Sequence, residues 1–367
     1  MTAKLMIPGP VEVEDSVLQE MGGQVRPHYG AEWIAVHNET VSLLKQVFQT
    51  EGDVYILVGS GTSGLDAGIG SLTSSGDKIV IGNNGFFGDR LRLIAQSYGL
   101  NIISVEAKLG ERLDPSEFER VLDQHPDAAL TAVVHLETST TVMNPVEEIA
   151  GRSRERGVPV LVDAVSSLGG APLKVDSWGI DICVGATQKC LSTPPGLSPL
   201  SISPRAWQIM SEKPERGHGW YLNLETWKQY AEEWADWHPF PISMATNNVL
   251  ALRAGVKSLL SDGLDNRIQH YSQLAQRLRD GARKLGLQPL TPDEEMSPVV
   301  TAIFSPEGVP SGDIVRYLNN EHQIKIAGGL GAGLKDRVFR VGHMGAMINV
   351  EDIDAVLNAL AEFIKNS

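Results

Sequence analysis

Cysteine is scarce in this sequence, and other marks of particular protein classes are missing as well. The 367 residues include two cysteines, Cys183 and Cys190, which are too few for a disulfide framework or a cysteine zinc cluster. So few thiols favour a reducing, cytoplasmic location. No spacing of histidines and acids suggests a metal site, and no apolar run reaches the roughly 18 residues that a membrane span requires.

Positive charge is also in short supply. Lysine and arginine total 31 against 45 aspartates and glutamates, which leaves a formal net charge of −14. An acidic chain lacks the basic surface of a general nucleic-acid binder, so we expect neither a nucleic-acid nor a membrane partner. Hydrophobic residues make up 42% and charged residues 21%, a balance that is typical of a folded protein with a large core.

Up to about residue 205, short β-branched runs alternate with helical stretches. Such alternation, with nearly continuous apolar strands, is typical of a parallel sheet covered on both faces, so the sequence predicts an α/β fold with a largely parallel sheet. The predicted strands are 53–58, 78–81, 101–105, 130–135, 158–162, 181–184 and 200–203, and the predicted helices are 65–72, 87–98, 115–124 and 146–156.

The composition changes after about residue 205. Residues 207–240 contain five tryptophans, which we expect to pack in an irregular or helical excursion, because aromatic side chains dominate core burial. We predict a large domain over residues 12–250 and a smaller α+β domain over residues 251–367, which residues 1–11 join. In the smaller domain the pattern predicts helices at 247–260, 265–285, 311–320 and 350–365, and strands at 299–304 and 337–341.

A glycine-rich turn, Gly-Ser-Gly-Thr-Ser-Gly at 59–64, lies between the first predicted strand and a helix. Glycines allow close backbone approach, and free N–H groups at a helix start attract anions, so the turn suits a phosphate. The hydroxyls of Ser60 and Thr62 suit the same ligand. The turn also matches the dinucleotide pattern of an NAD-dependent dehydrogenase, but residues 82–84, Gly-Asn-Asn, lack the acid that binds ribose. A tight turn without a ligand is the third possibility.

Asp163 ends a buried apolar strand in the run Val-Leu-Val-Asp at 160–163. An unpaired carboxylate in such a place is costly, so it needs a cationic partner or hydrogen-bond donors. Ligands of open α/β sheets collect at the carboxyl ends of the strands, which favours a ligand contact. A helix N-cap is an equally good explanation.

Lys189 follows the next strand, in a loop that two prolines end. A lone lysine is usually a solvated surface residue. Here the flanking residues 190–196 are small, apolar or rigid, and a lysine in such surroundings loses proton affinity and becomes a nucleophile toward carbonyls. A phosphate-binding turn, a buried acid and a nucleophilic lysine together meet the needs of pyridoxal phosphate.

The chain resembles the class V aminotransferases of fold type I, in the branch of alanine–glyoxylate and serine–pyruvate aminotransferases. The motifs that carry the resemblance are Val-Asp-Ala-Val-Ser-Ser at 162–167, Thr-Gln-Lys-Cys-Leu at 187–191 with Pro-Pro-Gly at 194–196, and Phe-Arg-Val-Gly-His-Met-Gly at 339–345. The resemblance implies a large domain with a seven-stranded-type sheet and a homodimer with active sites at the interface. It also implies transfer of an amino group from a small amino acid, such as alanine or serine, to glyoxylate or pyruvate.

The resemblance further implies a role for each matching residue. Lys189 would form a Schiff base with the cofactor and then move the substrate proton, and Asp163 would pair with the pyridinium nitrogen. Arg340 would grip the substrate carboxylate. Phe87 would stack on the ring, where many relatives have tryptophan, and Thr138 would lie beside the ring oxygen. The phosphate would be held by Ser60, Gly61 and Thr62, with Gln188 nearby.

One stretch departs from the family pattern. Relatives usually carry a tyrosine and a threonine just before the long helix, and these reach the phosphate of the partner subunit. Here residues 237–243 read Trp-His-Pro-Phe-Pro-Ile-Ser, and Pro239 takes the place of the threonine. We therefore expect a different cross-subunit contact, for which Ser243, Thr246 and Asn247 are candidates.

The sequence leaves the amino donor open. Alternatives are a 2-aminoethylphosphonate- or ureidoglycine-type transaminase, a pyridoxamine–pyruvate transaminase, a lyase, or a non-catalytic interaction protein, which the intact site residues disfavour. Ser60 stands where the pyridoxamine–pyruvate enzymes have a glutamate, and this favours a bound phosphate. A cysteine desulfurase would need a cysteine later in the chain than Cys190. His28 and His343 could line the substrate pocket, but structural roles are favoured.

Overall fold

In the computed structural model, which describes residues 3–213, 218–331 and 333–366, the chain is an α/β protein built on a mostly parallel seven-stranded sheet. The fold class predicted from the sequence is confirmed. Within these ranges, no helix is both long enough and apolar enough to cross a membrane.

Fourteen strands and thirteen helices are formed by the described residues. The strands are β1 (Lys4–Leu5), β2 (Asp53–Val58), β3 (Lys78–Asn83), β4 (Asn101–Glu106), β5 (Ala128–Val134), β6 (Leu136–Glu137), β7 (Val142–Met143), β8 (Val160–Asp163), β9 (Ile182–Val184), β10 (Leu197–Ile202), β11 (Val300–Phe304), β12 (Ile324–Lys325), β13 (Ala327–Gly328) and β14 (Val338–Gly342). The helices are α1 (Asp15–Met21), α2 (Ala31–Phe48), α3 (Gly61–Leu72), α4 (Phe86–Ser97), α5 (Pro115–Gln124), α6 (Val146–Glu155), α7 (Val175–Trp178), α8 (Pro204–Glu212), α9 (Leu224–Glu233), α10 (Thr246–Asp262), α11 (Leu264–Lys284), α12 (Ser311–His322) and α13 (Val350–Asn366).

The main sheet has the strand order β2-β10-β9-β8-β5-β3-β4. Six of its strands are parallel, and β10 runs antiparallel to both of its neighbours. Strand β8 is buried along its whole length, which explains its unbroken apolar run before Asp163. Because parallel strands end at one edge of a sheet, the loops after β2, β3, β8 and β9 meet there.

Buried apolar side chains form two large cores. The first packs around the main sheet and includes Trp33 and Leu259, and the second packs α11, α12 and α13 on β11 and β14. A smaller, separate cluster includes Cys190 and Tyr271. The predicted domain boundary after residue 250 falls inside α10, whose side chains pack in the first core as far as Leu259. The division of the chain into domains stays a prediction.

Residues 4–11 connect the second core to the loop after β9. Strand β1 pairs in parallel with β12, with Lys4 opposite Ile324, and Met6 is fully buried in the second core. Farther along, the N–H of Val11 donates to the carbonyl oxygen of Gln188 at 3.2 Å. This segment therefore runs from one core to the neighbour of Lys189.

Several elements differ from the sequence expectation. Helices α1 and α2 lie in a stretch for which the sequence analysis predicts no element. Helix α3 begins at Gly61, four residues before its predicted start at 65, because glycine, serine and threonine are poor helix formers that tertiary contacts override here. Strand β10 begins at Leu197 rather than at 200, and Pro199 inside it hides the pattern.

The tryptophans of residues 207–240 do not all pack in the core. Trp207 and Trp227 are buried, as expected. Trp220, Trp234 and Trp237 are 52%, 40% and 53% exposed, so the expectation that they pack inside the chain is wrong. These three tryptophans lie before and after α9 rather than in it, and residue type alone does not indicate their burial.

Candidate active site

A cavity of about 280 Å³ lies at the edge of the sheet where the strands end. Seven of the nine predicted site residues line it, and Thr138 and Arg340 do not. The seven are Ser60, Gly61, Thr62, Phe87, Asp163, Gln188 and Lys189, and the wall also contains Gly9, Pro10, Leu65, Arg90 and Val165.

Helix α3 begins at the cavity wall. Its N-cap residue, Ser60, makes no side-chain hydrogen bond to the helix, so the hydroxyl is available to a ligand. The N–H groups of Gly61 and Thr62 come too early in the helix to have a partner within it. A Cβ on Gly61 would lie 2.3 Å from Cγ2 of Val165, so only glycine lets the helix start this close to the loop after β8. The arrangement is suited to an anion.

Asp163 is 4% exposed at the end of β8. Its Oδ1 accepts the N–H of Val165 at 2.9 Å, and residues 165–170 form turns, so the alternative of a helix N-cap is wrong. Burial raises the pKa of Asp163 to about 6, and the hydrogen bond from Val165 opposes the rise. Within the described parts of the chain no lysine or arginine forms an ion pair with it. A protonated nitrogen of a ligand would supply that partner.

Lys189 lies five residues after the end of β9, partly exposed in the cavity. Its ammonium group donates to the carbonyl oxygen of Pro8. A Cβ on Gly9 would lie 2.6 Å from the Cδ of Lys189, so the glycine backbone rests directly on the lysine stem. Burial lowers the pKa of Lys189 to about 8, and the charges of Arg340 and Arg90 act in the same direction. Near pH 8 about half of these amines are therefore neutral and nucleophilic.

Phe87 is the second residue of α4 and faces the cavity together with Arg90. The guanidinium carbon of Arg90 lies 4.7 Å from the centre of the Phe87 ring, which is a cation–π contact. No hydrogen bond or ion pair links Arg90 to any other residue that the structure describes. This cation was not predicted, because a lone arginine within a helix carries no motif.

Thr138 and Arg340 do not line the cavity, and they contact one another. The Arg340 Nη1 donates to the carbonyl oxygen of Thr138 at 3.1 Å, and its Nε donates to that of Gly328 at 3.0 Å. The Thr138 hydroxyl donates to Oγ of Ser166 at 2.7 Å. Burial lowers the pKa of Arg340 to about 10. The predicted contacts of Arg340 with a carboxylate and of Thr138 with a ring oxygen stay predictions.

The remaining candidates lie elsewhere. Neither His28 nor His343 lines the cavity; the first packs its ring on His238 at 4.9 Å, and the second hydrogen-bonds Thr301 at 2.9 Å. The side-chain nitrogen of Asn247 donates to two carbonyl groups at the end of α1, at 2.7 and 2.9 Å. Glu137 was not predicted as a site residue; this buried carboxylate lies in β6 and accepts a backbone N–H from the first turn of α4.

The residues present fit pyridoxal phosphate. The start of α3 supplies N–H and hydroxyl donors for the phosphate, in a cradle that a Cβ on Gly61 would fill. The side-chain oxygen of Gln188 is buried and has no partner among the described residues, so this oxygen is available to accept a hydrogen bond from a ligand. Asp163 can accept from a protonated ring nitrogen, and Lys189 supplies the amine that an aldehyde requires.

Comparison with known proteins agrees with this interpretation of the site. The family model for class V aminotransferases matches residues 11–356. The chain is 35% identical to an uncharacterised aminotransferase of Methanocaldococcus jannaschii, over 93% of this chain and 87% of the relative. It is 31% identical to the (S)-ureidoglycine–glyoxylate transaminase of Bacillus subtilis, over 97% and 89%. The solved structure of an alanine–glyoxylate aminotransferase from Nostoc sp. matches with a TM-score of 0.94 and 33% identity, over 99% of this chain and 95% of that one.

Proposed function

Because the chain belongs to the class V aminotransferases and is a transaminase that depends on pyridoxal phosphate, we propose that it moves an amino group from a small amino acid to glyoxylate or pyruvate. The observation that carries the proposal is one cavity lined by the start of α3, Asp163 and Lys189. Glyoxylate is favoured as the acceptor because it appears in the names of both the Bacillus and the Nostoc relatives. Alanine and serine are the proposed donors.

When bound, pyridoxal phosphate supplies an aldehyde that condenses with amines and a conjugated ring that takes up the electrons of a bond broken at the substrate α-carbon. The chain's own residues would hold and orient it. Ser60, Gly61 and Thr62 would bind the phosphate, and Gln188 would contribute its amide. Phe87 would cover one face of the ring and exclude water from it. Asp163 would accept a hydrogen bond from the ring nitrogen and keep that nitrogen protonated.

Lys189 would transfer the proton between the substrate α-carbon and the cofactor. Its Nζ, neutral in about half of the molecules near pH 8, can take a proton from the substrate α-carbon and return one to the cofactor carbon. The carbonyl oxygen of Pro8, which already accepts from this nitrogen, would orient it between the two positions. Arg340 would bind the substrate carboxylate through the guanidinium edge that its two backbone contacts leave available.

The proposal is tested by the visible spectrum of the purified protein with pyridoxal phosphate, before and after addition of alanine, serine or (S)-ureidoglycine. A yellow protein whose band fades with alanine or serine supports the proposal. If the band fades only with ureidoglycine, the cofactor assignment stands and the proposed donors, alanine and serine, are wrong. Lys189→Ala should show neither the band nor turnover, while Lys174→Ala, an exposed lysine outside the cavity, should behave like the parent.

We also propose a homodimer in which exposed aromatic side chains lie at the interface. Trp220, Trp237 and Tyr29 are 52%, 53% and 49% exposed, and a second copy would bury them. The hydroxyl of Tyr221, next to Trp220, donates to the carbonyl oxygen of Val58 at 2.9 Å, immediately before the turn at 59–64. Light scattering on the holoenzyme should give a particle of twice the chain mass. Trp237→Glu should lower the measured mass toward that of one chain. A monomeric holoenzyme would overturn the proposal.

The phosphate contact from the partner would differ from the family pattern, since Pro239 has no hydroxyl. The exposed Ser243 is our candidate, because Asn247 is already bound to the end of α1. Ser243→Ala should then weaken cofactor binding in the dimer. The two cysteines are buried and unpaired, which supports a reducing cytoplasm as the proposed location. Localisation of the tagged full chain would test this proposal.

A further inference from the structure

A buried carboxylate holds the first turn of α4. Glu137 is fully buried in the short strand β6. Its Oε2 accepts the N–H groups of Phe87 and Gly88, each at 3.0 Å. Its Oε1 accepts the N–H of Ser139 at 3.0 Å and the hydroxyl of the same residue at 2.5 Å. The Ser139 Oγ in turn accepts the N–H of Phe86 at 3.0 Å. Glu137 and Ser139 thus bind three successive N–H groups of the helix.

This carboxylate does what an N-cap side chain usually does. The N-cap position of α4 is Gly85, which has no side chain to offer. A Cβ there would lie 2.4 Å from Cγ and Cδ of Glu137 and 2.5 Å from Oγ of Ser139. The glycine and the glutamate are therefore fitted to one another, and a local cap is replaced by one from a strand fifty residues away in sequence.

Capping a helix with a buried carboxylate from a distant segment costs free energy, because the charge must be removed from water. Burial raises the pKa of Glu137, and the hydrogen bonds from Ser139, Gly88 and Phe87 oppose the rise. An exposed serine or aspartate at the N-cap would satisfy the same N–H groups without burying a charge. The position of Glu137 is thus better explained by what else it touches.

Two proposed site residues depend on the same short segment. Phe87, whose ring we place over the cofactor, has its backbone N–H bound by Glu137. Arg340, which we place on the substrate carboxylate, donates to the carbonyl oxygen of Thr138, the next residue along the chain. The charge of Glu137 also favours the protonated form of Arg340. One buried group therefore lies between the residue that covers the ring and the residue that binds the substrate.

We propose that Glu137 is a positioning residue, which fixes the first turn of α4 and the Thr138 carbonyl so that Phe87 and Arg340 are correctly placed. The inference rests on the proposed function for the roles of those two residues. It predicts that the position of the side chain matters more than its charge. A glutamine can keep its oxygen on the N–H groups of Phe87 and Gly88, while its amide nitrogen can donate to the Ser139 hydroxyl but no longer accepts the Ser139 N–H.

The test compares Glu137→Gln and Glu137→Ala with Asp181→Asn as a matched control. Asp181 is also a buried carboxylate that accepts a backbone N–H, from Val160 at 2.9 Å, but none of its described hydrogen-bond partners belongs to α4 or lines the cavity. Three quantities are measured: hydrogen exchange of the Phe87 and Gly88 amides in the apoprotein, the dissociation constant of pyridoxal phosphate with its visible circular dichroism, and the KM for the oxo acid.

We expect Glu137→Ala to speed exchange at both amides, to weaken cofactor binding roughly tenfold or more, to diminish the circular dichroism of the bound cofactor and to raise KM. Glu137→Gln should stay within roughly fivefold of the parent in cofactor binding. Asp181→Asn should lower stability and leave all three quantities unchanged.

The inference is overturned if Glu137→Ala speeds exchange but leaves the circular dichroism and KM as in the parent, since Glu137 would then be only a cap. If Glu137→Ala does not fold, Glu137→Gln decides. A loss of cofactor binding of roughly tenfold or more in Glu137→Gln would overturn the inference, because the charge of Glu137 rather than its position would then matter. Failure of the proposed function is recognised separately, because the parent protein itself would then not bind pyridoxal phosphate.

Discussion

Single side chains in the cavity have altered proton affinities, and these are open to direct measurement. The rate at which the apoprotein takes up pyridoxal phosphate should follow the neutral fraction of Lys189. Because its pKa is lowered to about 8, the neutral amine increases with pH up to that value and then saturates. Stopped-flow absorbance between pH 6 and 10 should show a rise of about tenfold per pH unit that levels off above about pH 8. A rate still rising at pH 10 would indicate an ordinary lysine.

Asp163 should make the apoprotein less stable at neutral pH. Its pKa is raised from 3.8 to about 6, so the folded state binds its proton more tightly than the unfolded state does. The contribution of Asp163 to the free energy of unfolding is therefore most favourable below about pH 4 and decreases as the pH rises to about 6, by roughly 3 kcal/mol. Asp163→Asn should raise the free energy of unfolding of the apoprotein by about 2–3 kcal/mol at pH 8, and have little effect at pH 3.5. Urea denaturation at both pH values checks this, and a less stable variant at pH 8 would contradict it.

Residues that belong to a local motif could be predicted from sequence, whereas residues that act across the fold could not. The turn at 59–64, Asp163 and Lys189 each follow a strand, and their spacing alone indicates a shared sheet edge. Arg90 and Glu137 reach the site through contacts with remote segments. A single sequence holds no signal for such pairs, because the partner is known only after folding.

At the scale of elements, the start of α3 determines whether the proposed phosphate site can form. Gly61→Ala would place a methyl group 2.3 Å from Val165, so the helix must shift away from the loop after β8. We expect a loss of about 1–3 kcal/mol in stability and at least roughly tenfold weaker cofactor binding. Urea denaturation measures the change in stability, and calorimetry measures the change in cofactor binding.

The matched control is Gly151→Ala in α6, where no atom lies within 4 Å of the added carbon. Since alanine is a better helix former, this variant should be unchanged or more stable by up to about 1 kcal/mol, with normal cofactor binding. Equal effects of the two variants would show that α3 tolerates the methyl group. The early start of α3 also shows why element boundaries were harder to predict than element types: the packing that permits a helix at Gly61 is absent from local propensity.

In the whole molecule, residues 4–11 link the second core to Lys189. Met6→Ala should destabilise the protein by about 2–4 kcal/mol, because Met6 is fully buried. It should also weaken cofactor binding, because the same segment places Pro8 and Gly9 on Lys189. The comparison is Leu318→Ala, in the same core but far from the segment in sequence. Similar destabilisation with weaker cofactor binding only for Met6→Ala supports the coupling, and equal cofactor binding in both variants excludes it.

The pairing of β1 with β12 also has a consequence for biosynthesis. Lys4 lies opposite Ile324, so β1 leaves the ribosome 320 residues before its partner strand exists. The main sheet can assemble much earlier, since its last strand, β10, ends at Ile202. A nascent chain therefore passes through a long period in which the sheet is complete but β1 has no partner strand. Shortened translation products that lack β12 would hold Pro8 and Gly9 on Lys189 less firmly, because the pairing that anchors residues 4–11 to the second core is missing.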